Sequence, residues 1–274
     1  MSLKKIAFSV ATLSVSTSFS ASAVDLCHVA NAGFLIKGEN ASVLIDGLMQ
    51  EDHYEGRFAL PSTEMYDEMV NKTGLFKDLK LVLSTHRHGD HFDPKATVQH
   101  LRATDDVRYG VAAETIPTLK ANGLQESEQE RLHVVEDGPQ SSFSYGGVDV
   151  QTFDVDHGPN APQNVGYRVT VDGVSFFHTG DINTTREQLA EAGVTDIEVD
   201  ALIIPFWFGL QNVDQQQTIS ASWKVGTMVP THFHAIHQPW MGQFGGLEGL
   251  KNTIAETFDG AIINTIEGEC TPIG

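Results

Sequence analysis

Apolar and polar positions change over quickly along this chain, in bursts that fit strands more often than helices. Short apolar runs at 26–30, 34–37 and 42–45 are separated by Asn31-Ala32-Gly33 and Gly38-Glu39-Asn40, both rich in turn-forming residues. Leu79-Lys80-Leu81-Val82-Leu83-Ser84 predicts a buried strand. Further strands are expected at 107–111, 148–155, 165–171, 174–178, 201–205, 227–229 and 261–264, with Asp172-Gly173 as a hairpin turn. Helical stretches fall between them. One runs from the Pro61-Ser62-Thr63-Glu64 segment to about Asn71. Another spans 94–103, where Asp93 is an N-cap and Pro94 takes the first helical position. Others are expected at 114–121, 185–192, 215–225 and 247–258. A long loop covers 47–60, and the acidic stretch 125–131 reads as solvated surface. No repeat, low-complexity tract or linker splits the chain, so one large α/β domain is expected.

The N-terminus departs from this pattern. Lys4 and Lys5 precede an apolar stretch from Ile6 to about Val15, and Ala21-Ser22-Ala23 closes a Ser/Ala-rich segment. A basic start, a short apolar centre and an A-x-A site predict a secretory leader over residues 1–23. The apolar stretch is too short to span a bilayer. The mature domain then covers 24–274, with no membrane insertion once the leader is gone. A secreted, periplasmic location is expected for a Gram-negative host. Removing Lys4 and Lys5 without any acid takes the net charge from −19 to −21. That surface repels phosphate backbones and argues for a small-molecule substrate over nucleic acid. The pattern says nothing about oligomeric state. Cys27 and Cys270 stand near the two ends of the mature chain, and in an oxidising compartment they are expected to form a disulfide.

Chemistry concentrates in one place. Thr85-His86-Arg87-His88-Gly89-Asp90-His91 puts three imidazoles and a carboxylate into six consecutive positions, directly after the strand at 79–84. Loops at the carboxyl ends of strands are where α/β proteins build sites. Such crowding is costly unless a cation holds the groups together. Imidazole plus carboxylate suits zinc, iron, nickel or manganese rather than calcium. We read the loop as a binuclear metal site. Two imidazoles one residue apart can pinch one ion, while Asp90 and His91, beyond the glycine, can face another.

The T-H-x-H-x-D-H pattern at 85–91 resembles the metallo-β-lactamase superfamily. Asp46 after Val43-Leu44-Ile45, His157 in Asp156-His157-Gly158, Asp181 in Gly180-Asp181 and His232 in Thr231-His232-Phe233 extend the resemblance over the mature chain. The His157 and Gly180-Asp181 segments are similar in form to the ascorbate-6-phosphate lactonase type. The resemblance implies a four-layer αββα sandwich of two mixed sheets flanked by helices. It also implies that His86, His88 and His157 bind one metal, that Asp90, His91 and His232 bind a second, and that Asp181 bridges them. Asp46 resembles the acid that fixes a ligand imidazole's tautomer and orientation.

Twelve histidines are present, and seven have no assigned ligand role. His28, His100, His133 and His178 read as ordinary half-buried residues. His234 and His237 flank His232, and either could replace it or sit beside the substrate. His53, in the 47–60 loop, is either a solvent residue or part of a lid. Phe206, Trp207, Phe208, His234 and Trp240 are candidates for an apolar substrate pocket, with core packing as the alternative.

The expected activity is hydrolysis of a small-molecule ester, lactone, thioester, amide or phosphodiester by a hydroxide held between two divalent ions. Zinc is the first candidate for those ions, with manganese or iron as alternatives. Asp90 would be the catalytic residue, orienting the nucleophile and carrying its proton. Two other readings stay open at this point. One is a mononuclear iron oxygenase resembling persulfide dioxygenases, which share the histidine loop. The other is a non-catalytic metal- or partner-binding module.

Overall fold

A computed structural model describes residues 24–138, 140–234 and 238–274. The expected leader at 1–23 and His237 lie outside the described residues. Among the described residues, strands β1 (Val24–Ala30), β2 (Gly33–Lys37) and β3 (Ser42–Ile45) form an antiparallel meander. Strands β4 (Leu79–Leu83), β5 (Arg108–Ala112) and β6 (Leu132–Val135) extend it in parallel, and β13 (Cys270–Ile273) closes its other edge. The result is a seven-stranded sheet. A second, six-stranded sheet holds β7 (Ser141–Tyr145), β8 (Val148–Asp154), β9 (Val165–Val171), β10 (Val174–His178), β11 (Ile197–Pro205) and β12 (Trp223–Thr231). Its first four strands run antiparallel, and β10, β11 and β12 are mutually parallel.

The alternation of side chains explains why the layers stack. Leu26, Ile36, Val43 and Leu81 of the first sheet meet Val150, Tyr167, Phe176 and Ile203 of the second in a core between the sheets. Their neighbours point outward. Leu35, Leu44 and Val82 pack under α1 (Thr63–Asn71) and α2 (Pro94–Ala103), against Met65, Met69 and Leu101. Phe177, Leu202 and Ile204 pack under α4 (Arg186–Glu191) and α5 (Val213–Ser222), against Leu189 and Ile219. Both faces of each sheet are therefore apolar, and the molecule is the expected α/β four-layer sandwich. Phe176 and Phe177 are fully buried on opposite faces of β10, a burial worth about 1.5–3 kcal/mol apiece.

The remaining helices are α3 (Ile116–Ala121) and α6 (Leu247–Thr257). Among the described residues no helix is long and apolar enough to cross a membrane. Cys27 and Cys270 pair across β1 and β13 and are disulfide-bonded, joining positions 243 apart.

Some expected elements differ. Residues 261–264 are not a strand: Ile262 donates one hydrogen bond to Met228 on the outer edge of β12, and no ladder develops. The helix expected at 215–225 stops at Ser222, because Trp223 and Val225 already belong to β12. Strands β6, β7 and β13 escaped the sequence reading. Ser141–Tyr145 is largely exposed and polar at a sheet edge, and β13 carries Pro272, which an edge strand tolerates.

Candidate metal centre

The residues of interest sit at the carboxyl ends of strands from both sheets. Asp46 follows β3, the 84–91 loop follows β4, and His157 follows β8. Asp181 follows β10, Phe206 and Trp207 follow β11, and His232 follows β12. The loop after β4 is held from several sides. Ser84 donates its backbone N–H to Gly110, Val165 donates to the Thr85 carbonyl, and the Tyr167 hydroxyl donates to the Ser84 carbonyl at 3.1 Å. At the far end of the loop, Asp93 caps α2 through Ala96 N–H. Its other oxygen accepts the N–H groups of Gln50 and Glu51, which ties the 47–60 segment to the histidine loop.

Two ligand groups result. The first comprises His86, His88, His157 and Asp181, and the second Asp90, His91 and His232. Within each group the ligand atoms lie within 4.8 Å of one another. In the first, His86 Nε2 lies 3.0 Å from His88 Nδ1, which is 3.4 Å from His157 Nε2. In the second, His91 Nε2 and His232 Nε2 are 2.9 Å apart, and Asp90 Oδ2 is 3.2 Å from His232 Nε2. Asp181 lies between the groups. Its Oδ1 is 3.3 Å from both His91 Nε2 and His232 Nε2, while its Oδ2 is 3.7 Å from His157 and 3.9 Å from His86.

Asp46 sets the tautomers. Its Oδ2 accepts His91 Nδ1–H at 2.8 Å and the Thr85 hydroxyl at 2.7 Å, and its Oδ1 accepts Thr85 N–H at 2.8 Å. With its proton committed to Asp46, the Thr85 oxygen accepts from His86 Nδ1 at 3.0 Å. Both His91 and His86 therefore have Nδ1 engaged and direct Nε2 at the centre, one through Asp46 and one through Thr85. Asn31 supports Asp90, donating to its backbone carbonyl at 3.2 Å and its carboxylate at 3.4 Å. Asn31, Asp46 and His232 all have positive φ (48°, 49° and 72°), so three left-handed backbone positions support the second group.

The protein's own field differs between the groups. Burial, reinforced by His91, holds His86 well below the usual histidine range, and burial with His157 lowers His88. Burial also acts to lower His91, but Asp181 and Asp46 outweigh it and hold that imidazole well above the usual range. His232 is raised against burial by Asp181 and Asp90. Asp181 is held well below the ordinary carboxylate range by His91 and His232, again against burial.

The donor set fits divalent metal ions. Bare imidazole nitrogens face one another and face carboxylates, and Asp181 Oδ1 is buried without a hydrogen-bond partner among the described residues. Nitrogen–oxygen donors of this kind suit zinc, iron or manganese.

Four of the other described histidines, His28, His100, His133 and His178, take structural positions. His178 donates Nε2–H to the Ala32 carbonyl and accepts Gly180 N–H at Nδ1. His100 lies buried between Tyr109 and the Met69 carbonyl. His28 is buried in β1, and His133 is half-buried, as expected, in β6, stacked on Phe143. His53 packs against Gly89, where an added Cβ would come within 2.5 Å of its ring. His234 does not join either ligand group.

The surroundings of the two groups contrast. A cleft of about 930 Å³ reaches His157 and is walled by Glu114, Glu136, Asp154, Asp156 and Glu191. Beside His232, Phe206, Trp207, Leu210, His234, Trp240 and Phe244 line an apolar pocket of about 340 Å³. Phe208 is corrected. It is fully buried under α5 with Ile219, because the turn that returns its N–H to Pro205 directs it into the outer core.

Several contributors were not anticipated. In sequence Asn31 belongs to a turn and Thr85 opens the histidine motif, and neither position reveals its support of Asp90 or His86. Phe58, in the 47–60 loop, places its ring 5.0 Å from His232 and 5.1 Å from His234. Asn164 bridges the Val155 and Thr179 carbonyls and accepts Asp181 N–H. None carries a sequence signal beyond its neighbourhood in the fold.

Two mixed sheets flanked by helices, with paired ligand groups at their joined carboxyl ends, define a metallo-β-lactamase-type fold. The chain belongs to the family described as "Beta-lactamase superfamily domain", whose model matches residues 43–235. Solved structures of similar fold include the metallo-β-lactamase fold protein YhfI from Bacillus subtilis, at 12% identity and TM-score 0.56, covering 90% of this chain and 99% of that one. Another is isothiocyanate hydrolase from Delia radicum gut bacteria, at 16% identity and TM-score 0.55, covering 90% and 98%. A third is CmlA, a diiron β-hydroxylase from Streptomyces venezuelae, at 16% identity and TM-score 0.52, covering 92% of this chain and 54% of that one. No curated protein matches the chain.

Proposed function

We propose that this chain is a secreted binuclear metal-dependent hydrolase of small molecules. The observation that carries this reading is Asp181, whose two oxygens face different ligand groups at 3.3–3.9 Å. His86, His88 and His157 would hold one ion, Asp90, His91 and His232 the other, and Asp181 would be shared. Zinc is the first choice, with manganese or iron also suited to these donors. Bound there, a divalent pair supplies Lewis acidity toward a carbonyl or phosphoryl oxygen and makes water nucleophilic near neutral pH.

The protein's own residues do the rest. Asp46 and Thr85 hold the imidazoles of His91 and His86 in the ligating tautomer. Asp90, fixed by Asn31, orients the nucleophile and takes its proton toward the leaving group. The half-exposed His88 and His157 leave the first group open to a cleft, which supports turnover over a closed structural site. The net charge of −19 supports small molecules over nucleic acid. The leader expected at 1–23 and the Cys27–Cys270 disulfide support secretion, to the periplasm in a Gram-negative host.

The test is metal analysis of the purified mature protein, followed by a lactone, ester, thioester, amide and phosphodiester panel. Lactones come first because of the form of the His157 and Gly180-Asp181 segments. Two metal equivalents and chelator-sensitive cleavage are expected. A single equivalent, with oxygen consumed in place of hydrolysis, would establish the mononuclear iron oxygenase reading instead.

A further inference from the structure

We propose that the aromatic pocket beside His232 seats an uncharged aromatic or bulky aliphatic group of the substrate. This assignment rests on the hydrolase reading and names the substrate class of the same site.

The pocket adjoins the second ligand group directly. Trp207 lies edge-on to the His232 ring at 4.8 Å, and His234 faces Trp240 at 5.3 Å. Phe206 stacks on Trp240 at 5.6 Å with an interplanar angle of 16°, so the walls are set by mutual aromatic packing. Trp207 is one of three large apolar side chains left exposed among the described residues, at 37%. Its exposed face is continuous with Phe206, Leu210, Trp240 and Phe244 in one apolar lining, the kind of contiguous patch that marks a ligand groove.

Size and charge narrow the occupant. The volume of about 340 Å³ exceeds the roughly 150 Å³ that accommodates a benzene ring in an apolar cavity. Among the described residues the lining holds no Asp, Glu, Lys or Arg, and its polar members are His234 and Gln243. A carboxylate or ammonium entering here would be desolvated without a counter-charge. A neutral ring or branched chain meets mainly apolar walls, and His234 Nδ1, buried without a hydrogen-bond partner among the described residues, is free to orient it.

Trp207 and Trp240 report occupancy without any reaction. Full-length mature protein, metal-free and metal-loaded, is titrated with benzyl alcohol, benzoate and benzylammonium while tryptophan fluorescence is followed. Benzyl alcohol should give a saturable change in both forms, with the two charged probes at least about tenfold weaker. Trp240→Ala should weaken benzyl alcohol roughly tenfold, and Trp207→Ala, at a partly exposed position, repeats the measurement if the first variant folds poorly. On the metal-loaded enzyme, Trp240→Ala should lower the kcat/KM preference for phenylacetyl over acetyl esters by about tenfold. No saturable response to benzyl alcohol, or equal binding of all three probes, overturns the pocket assignment. Binding of benzyl alcohol without cleavage of any lactone, ester, thioester, amide or phosphodiester of the panel leaves the pocket standing and removes the hydrolase reading.

Discussion

The two sheets furnish the site in opposite ways. The first sheet supplies His86, His88, Asp90 and His91 from one loop after β4, with Asp46 beside them at the end of β3. The second supplies His157, Asp181 and His232 from the ends of three different strands. Neither ligand group is complete on one sheet, since each combines loop residues with partners from across the inter-sheet core. The dense motif therefore provides most of the donors, while the packing of Tyr167, Phe176 and Ile203 against Ile36 and Leu81 decides whether they become a site.

The largest effect should follow from removing the residue that joins the halves. Asp181→Ala takes a carboxylate from both groups and leaves the raised His91 and His232 facing each other at 2.9 Å without it. Metal analysis should show the second ion lost far more readily than the first. Hydrolysis should fall by about a thousandfold or more, on the scale of losing a principal electrostatic element. Two-metal stoichiometry at wild-type affinity would break the comparison, because the sheets would then complete their groups independently.

The same contrast explains what could be read from sequence. The 85–91 loop is contiguous, and its ligands follow a strand that the apolar run at 79–84 makes plain. His157, Asp181 and His232 are single residues, identified through family resemblance and not through their own spacing. Strands such as 165–171 and 174–178 were legible because apolar residues recur at alternate positions, as at Val165, Tyr167, Val169 and Val171, with the Asp172-Gly173 turn between the two. Strand β7 was not, since an exposed edge strand such as Ser141–Tyr145 carries a polar pattern that also fits a loop. Asn31 and Phe58 act through contacts made only after folding. Pairing of Cys27 with Cys270 followed from the expected compartment, but its place across β1 and β13 needed a strand at 270–273 that Pro272 concealed.

Perturbations confined to the first sheet should separate stability from chemistry. Cys27→Ser opens a link across nearly the whole mature chain, and the expected loss is about 2–5 kcal/mol in chemical denaturation. Turnover by the folded fraction should be unchanged, because the disulfide joins the edge strand β13 to its neighbour β1, and neither strand carries a residue of the ligand groups. A folded but inactive variant would refute that separation.

His100 sharpens the point with pH. Burial, against the opposing pull of the Met69 carbonyl, lowers its pKa from 6.5 to about 4. In the window between those values the unfolded chain binds the proton and the folded one does not, so stability rises with pH. The contribution is full above about 6.5, is lost as pH falls toward 4, and amounts to about 3 kcal/mol. His100→Gln should flatten the denaturation free energy over that range relative to wild type. Parallel slopes for the two proteins would show that His100 is not the group that takes up the proton.

The smallest effect tests the seam itself. Tyr167 is fully buried in β9 and donates its hydroxyl to the Ser84 carbonyl at the root of the histidine loop. Tyr167→Phe keeps the ring in the inter-sheet core and removes only that bond, so a loss of about 1 kcal/mol is expected. Val165 still donates to Thr85 one residue further on, so the loop should stay docked and metal affinity should change by less than about tenfold. Isothermal titration with zinc, alongside urea denaturation, separates the two quantities. If affinity falls by far more than stability, a single hydrogen bond governs the register of the loop against the second sheet. Equal, small changes place that control in the apolar packing around it.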